Sequence, residues 1–115
     1  MANPVAWFEV TGPDAGELQR FYAEAFGWQI DASNPMNYGM VTAGEGGIAG
    51  GVGPNPEGSA HATFYVSVPD VDAALAKVGE LGGQTIMPSM DVPDGPTIAF
   101  FSDPAGNRIG LMKAM

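Results

Sequence analysis

The sequence contains no cysteine, which excludes disulfides, thiolate nucleophiles and thiolate metal sites at once. Basic residues are nearly as scarce: four Lys and Arg stand against 13 Asp and Glu, for a formal charge of −9. Binding to a phosphate backbone depends on cations, so nucleic acid is not an expected partner. An acidic surface serves solubility and also suits a cationic ligand. His61 is the one histidine and no Gly-x-Ser-x-Gly segment occurs, so a hydrolase triad has no support. No apolar run reaches the roughly 20 residues that a membrane helix needs. The opening MANPVAWFEV lacks the basic and apolar regions of a secretory signal, so the expected location is cytoplasmic, away from membranes.

What the chain does have is glycine, proline and a repeat. Its 115 residues, 45% hydrophobic, suffice for one domain with a core. The 17 Gly and 10 Pro then punctuate short elements. Phe8, Val10, Pro13, Asp14 and Gly27 recur 56 residues later as Phe64, Val66, Pro69, Asp70 and Gly83. WFEVTGPDAGELQRFYAEAFG and TFYVSVPDVDAALAKVGELGG each read as strand, turn, helix and glycine stop. In the first strand, Phe8 and Val10 alternate with Trp7, Glu9 and Thr11; Phe64 and Val66 alternate likewise with Thr63, Tyr65 and Ser67. Leu18, Phe21, Tyr22, Ala25 and Phe26 make a helical stripe behind an Asp14 cap, and Val71, Ala74, Leu75, Val78 and Leu81 make its counterpart behind Asp70.

Short strands follow each helix: WQID, YGMVT and GIAGGV in the first copy, then QTIMPSMDV, TIAFFS and NRIGLM in the second. Each copy is therefore βαβββ. The expected fold is α+β, two tandem βαβββ units forming curved mixed sheets around a cavity within a single domain spanning 1–115. The first unit covers about 4–53, the linker 54–59 and the second unit about 60–113. Gly46-Gly47 and Gly50-Gly51 open no helix and precede no Lys-Ser or Lys-Thr. They read as a hairpin and a closely approached strand, not as a phosphate loop.

With the duplication established, FYAEAFGW after a PD turn and FFSDPAGNRIGLM near the end resemble the vicinal oxygen chelate superfamily, which includes glyoxalases, bleomycin-resistance proteins and extradiol dioxygenases. The resemblance covers essentially the whole chain. It implies a homodimer and, in metal-using relatives, a His or Glu from each first and each last strand around a divalent ion. The corresponding positions are Trp7, Thr63, Gly50 and Gly110, none of which supplies such a ligand. No cofactor is therefore expected. The alternative is a displaced divalent-metal site on Glu9 and His61.

The resemblance then implies a resistance-type protein that binds or sequesters a small organic molecule without metal. The expected pocket residues are Trp7, Glu9, Tyr38, Thr63, Tyr65, Phe101, Arg108 and Met112. Trp7, Tyr38 and Tyr65 offer apolar faces with polar tips, although Trp7 would equally plug the interior. Arg108 would neutralise Glu9 or hold an anion, and the methionines suit an adaptable lining. His61, at the start of its strand, is expected to be exposed. The alternative function is a lyase, isomerase or dioxygenase of the same superfamily, with an altered metal site or with Glu9 as acid/base and His61 as a weaker catalytic candidate.

Overall fold

The computed structural model describes residues 2–55 and 57–114. Its elements run β1 (Val5–Gly12), α1 (Ala15–Phe26), β2 (Ile30–Asp31), β3 (Gly39–Val41), β4 (Gly50–Pro54), β5 (His61–Val68), α2 (Val71–Glu80), β6 (Gln84–Asp91), β7 (Thr97–Ser102) and β8 (Arg108–Lys113). This is the α+β, twice-βαβββ order. Contacts divide the chain within β1 and β5: Trp7–Thr63 forms one unit, and the residues from Phe64 onward, with those before Trp7, form the other. β4 ends at Pro54, one residue into the segment read as the linker. Pro56, assigned to the linker, falls outside the described residues.

Both units use the same local devices. Asp14 and Asp70, in extended backbone, each accept a hydrogen bond at 3.0 Å from the N–H three residues on, Glu17 and Ala73. Each thereby satisfies one orphan donor of a helix N-terminus. Gly27 closes α1 in the left-handed region at φ 71, donating to the Ala23 carbonyl at 2.9 Å. In the first unit β1 pairs β4 in parallel, and β3 joins β4 and β2 antiparallel. In the second, β5 pairs β8 in parallel, and β7 joins β8 and β6 antiparallel. Pro88 sits in β6, where the β6–β7 register shifts, as expected of proline in an irregular strand.

The second unit's core is Val68, Val71, Ala99 and Leu111, with Val66, Ala74, Leu75 and Phe101 packed against it. In the first, Val41 and Val52 are buried, and Ala15 is the buried residue of α1. Only part of the predicted helical stripes is covered: Phe21 and Phe26 are 59% and 65% exposed, and Leu81 is 71% exposed. Tyr22 instead stacks on Trp28 with centroids 5.0 Å apart, and Trp28 leans on Phe8 at 5.2 Å. Trp28 thus fills the space beside β1 that the outer phenylalanines would otherwise seek. Leu81 follows the last helical residue as the C-cap of α2, beyond the reach of the helix's apolar face.

Candidate functional site

In the first unit, Trp7, Glu9 and Thr11 leave β1 on the face opposite Phe8 and Val10. The neighbouring strand supplies glycine on that face: Glu9 is registered with Gly51 and Thr11 with Gly53. Tyr38, arriving just before β3, lays its ring across this floor. A Cβ on Gly51 would stand 1.9 Å from the Tyr38 Oη, and one on Gly53 would stand 2.7 Å from its Cδ1. The hydroxyl accepts from Trp7 Nε1 at 3.0 Å and donates to Glu9 Oε2 at 2.9 Å. Three candidate pocket residues thus form one indole–phenol–carboxylate chain.

The loop holding Tyr38 is built for that pose. Asn34 Oδ1 accepts from the N–H groups of Met36 and Tyr38 at 3.2 and 3.0 Å, and its Nδ2 donates to the Tyr38 carbonyl at 2.7 Å. Asn37 takes φ 52, a left-handed conformation that asparagine tolerates better than most residues. Gln19 of α1 donates to the carbonyls of Asn37 and Val52 at 3.0 and 2.9 Å, tying loop to strand. Asn34, Gln19 and Gly53 are residues of this arrangement that sequence reasoning missed, whereas Gly51 belongs to the pair read as a closely approached strand. The Asn-x-x-x-Tyr spacing of the clasp was the one available signal.

Burial first, and the Glu9 carboxylate second, push the Tyr38 hydroxyl well above the ordinary phenol value, with the Trp7 hydrogen bond opposing them. Tyr38 therefore keeps its proton in the folded chain where an unfolded tyrosine ionises. Its contribution to stability is complete below the unfolded value of about pH 10 and is lost as the pH rises from there toward the folded value. Denaturant midpoints taken from about pH 8 to about pH 11 should fall more steeply for the wild type than for Tyr38→Phe. Parallel curves would contradict the shift.

His61 is half-buried rather than exposed. Its Nδ1 lies 3.0 Å from the hydroxyl of Thr11, itself 7% exposed. Asn55, whose Oδ1 accepts from the Glu57 N–H at 3.0 Å, turns its amide nitrogen toward the same Nδ1 at 3.5 Å. The other ring nitrogen, Nε2, is buried without a hydrogen-bond partner among the described residues. The expectation of exposure failed because Thr11 and Asn55 draw the ring inward.

In the second unit, Tyr65 is registered with Gly110 and lies over it, 6% exposed; a Cβ there would stand 2.4 Å from the ring. Phe100 meets Tyr65 edge-on at 5.4 Å, and the Arg108 guanidinium sits 4.2 Å from the Phe100 centroid. Met112, registered with Ser67, is half-buried; Thr63, which closes the first unit, is half-buried too. Phe101 needs correction: it packs on the Val68–Leu111 core, and strand alternation gives the Tyr65 face to Phe100 instead. The Gly50 assignment is likewise one residue off. Gly50 is registered with Phe8 and its Cβ would strike that ring at 2.3 Å, whereas Gly51 faces Glu9 as Gly110 faces Tyr65.

The donor set does not fit the superfamily's metal centre. Among the described residues no group of three His, Cys, Asp or Glu is placed to hold an ion. The four equivalent positions are Trp7, Gly51, Thr63 and Gly110, which contribute an indole, a hydroxyl and two bare backbones.

Two βαβββ units, one bearing an aromatic and polar face over a glycine floor, define an α+β scaffold of the glyoxalase type. The chain belongs to the glyoxalase/bleomycin resistance protein/dioxygenase superfamily, whose sequence profile matches residues 5–111. It is 33% identical to CFP32 of Mycobacterium bovis, described as a candidate glyoxylase, over 94% of this chain and 44% of that protein. It is 31% identical to the anthracycline biosynthesis protein DnrV of Streptomyces peucetius, over 94% of this chain and 46% of the relative. The chain thus spans less than half the length of these relatives. Solved structures share the fold: methylmalonyl-CoA epimerase from Mycobacterium tuberculosis has a TM-score of 0.72 at 11% identity, covering 96% of this chain and 87% of the other. A hypothetical protein of Bacillus halodurans reaches 0.73 at 13%, covering 100% and 96%. No described helix is long and apolar enough to cross a membrane.

Proposed function

We propose that this chain binds a small organic molecule without a resident metal ion, on the Trp7–Glu9–Tyr38 face of its first unit. One observation carries the reading: a hydrogen-bonded indole, phenol and carboxylate lie over Gly51 and Gly53, so aromatic area and convergent polar groups meet where the backbone permits close approach. The relatives described as anthracycline biosynthesis proteins agree with a role on small organic molecules. The surplus of acids favours ligands with a cationic group. A cytoplasmic homodimer is the setting this reading assumes.

A thermal-shift screen of flat metabolites and cationic antibiotics tests it, since a ligand at 100 times its Kd stabilises the native state by about 2.7 kcal/mol. Compounds that raise the melting temperature of the wild type, and not of Trp7→Ala, are the expected result. Failure of every compound to stabilise the protein counts against binding. The Glu9–Tyr38 hydrogen bond favours a second reading, a lyase or isomerase using Glu9 as acid/base. A stoichiometric metal lost in Glu9→Gln or His61→Ala would overturn the metal-free reading and support an altered metal enzyme.

A further inference from the structure

The class of ligand follows from what the Tyr38 ring already occupies, given the small-molecule reading above. The receptor half of the arrangement belongs to strands: Trp7 and Glu9 on β1, Gly51 and Gly53 on β4. The occupant half belongs to the Asn34–Tyr38 loop, whose clasp is made with its own backbone. One oxygen must accept from the Trp7 N–H and donate to the Glu9 carboxylate, as the Tyr38 hydroxyl does at 3.0 and 2.9 Å. An ether or ketone accepts but cannot donate, an ammonium donates but cannot accept, and a carboxylate or phenolate meets Glu9 with like charge. A neutral hydroxyl satisfies both partners. The floor adds a shape requirement: the Tyr38 ring spans Gly51 and Gly53 so closely that either Cβ would clash with it, so the complementary group is a flat ring bearing that hydroxyl.

We propose that these strands form a phenol-binding site, that Tyr38 is its intramolecular occupant, and that the ligand displaces Tyr38 with a hydroxylated aromatic ring of its own. Tyr38 lowers the apparent affinity of the site by competing for it, because only the fraction of molecules with the ring withdrawn can bind.

The probe is p-cresol, the truncated tyrosine side chain itself, with its methyl ether 4-methylanisole as control, measured by titration calorimetry. Tyr38→Ala should bind p-cresol at least about tenfold more tightly than the ether, because the ether cannot make the donation to Glu9 Oε2 that the Tyr38 hydroxyl makes. Glu9→Leu in the same background should erase the preference. Tyr38→Phe keeps the ring on the glycine floor but loses both hydrogen bonds, so it should bind p-cresol more tightly than the wild type and less tightly than Tyr38→Ala. This variant also carries the test should Tyr38→Ala fail to fold. Equal uptake of p-cresol and its ether by Tyr38→Ala would overturn the phenol assignment and leave the small-molecule reading standing. Wild type and Tyr38→Phe binding p-cresol equally would overturn the role of Tyr38 as occupant.

Discussion

Leu111→Ala is expected to lower the unfolding free energy by about 2–5 kcal/mol, while Leu81→Ala stays within about 0.5 kcal/mol. Leu111 is 3% exposed in the Val68–Val71–Ala99 cluster and lies between β5 and β7, registered with Val66 on one side and Ala99 on the other. Ala99 has no side chain to spare and Val66 is held by its own strand, so little can move in to fill the cavity. Leu81 carries the same side chain at 71% exposure. Urea unfolding of both variants with unchanged m-values measures the difference. Comparable losses from the two would contradict the packing described for the second unit.

The two leucines also show where pattern reading stops. The helical spacing of Val71, Ala74, Leu75 and Val78 extends naturally to Leu81. Yet α2 ends at Glu80, and Gly82 takes φ 101, so the stripe continues in sequence after the helix has stopped. The duplication itself was legible because its signals are local: an extended segment, an Asp cap and a glycine stop act within a few residues. Strand phase was not. Alternation fixes a face only when neighbouring residues differ, and Gly50-Gly51 and Phe100-Phe101 are identical pairs. A slip of one residue moves every side chain to the other face. Only the registers Glu9 with Gly51 and Phe100 with Gly110 resolve them. The sequence singles out Tyr38 as a candidate, an aromatic ring with a polar tip. That its hydroxyl returns to Glu9, 29 positions earlier, is a long-range contact with no local signature.

Correcting the phase exposes a correspondence between the units. In each, the last-strand glycine lies beside the first strand's inner residue and under a tyrosine ring: Gly51 beneath Tyr38, Gly110 beneath Tyr65. The two rings come from different places, one from a loop and one from β5. What repeats is therefore the bare backbone, not the residue that covers it. Two of the positions that the superfamily resemblance associates with metal ligands, Gly51 and Gly110, carry aromatic cover here, so membership fixes the scaffold while the site's chemistry must be read from Trp7, Glu9 and Tyr38.

If the glycine floor exists to accept a ring, adding one methyl group to it should displace Tyr38, and the cost should depend on Tyr38 being present. A Cβ at Gly51 would stand 1.9 Å from the Tyr38 Oη and 2.0 Å from its Cζ. The clash involves the far end of a side chain, so the ring swings away before the strand distorts. The loss is then the two hydrogen bonds to Trp7 and Glu9 and the ring's burial, and Gly51→Ala should destabilise the protein by about 1–3 kcal/mol. In a Tyr38→Ala background nothing remains to be displaced, so the same substitution should cost only a few tenths of a kcal/mol. The double-mutant cycle should return a coupling of about 1–2 kcal/mol between positions 38 and 51. Trp7 fluorescence provides a second readout, because Gly51→Ala removes the phenol from its indole N–H while Tyr38→Ala with or without Gly51→Ala gives one common spectrum. Additive losses around the cycle would mean that Gly51 is a strand residue of no special consequence and that Tyr38 is held by the Asn34 clasp and the Gln19 tie instead.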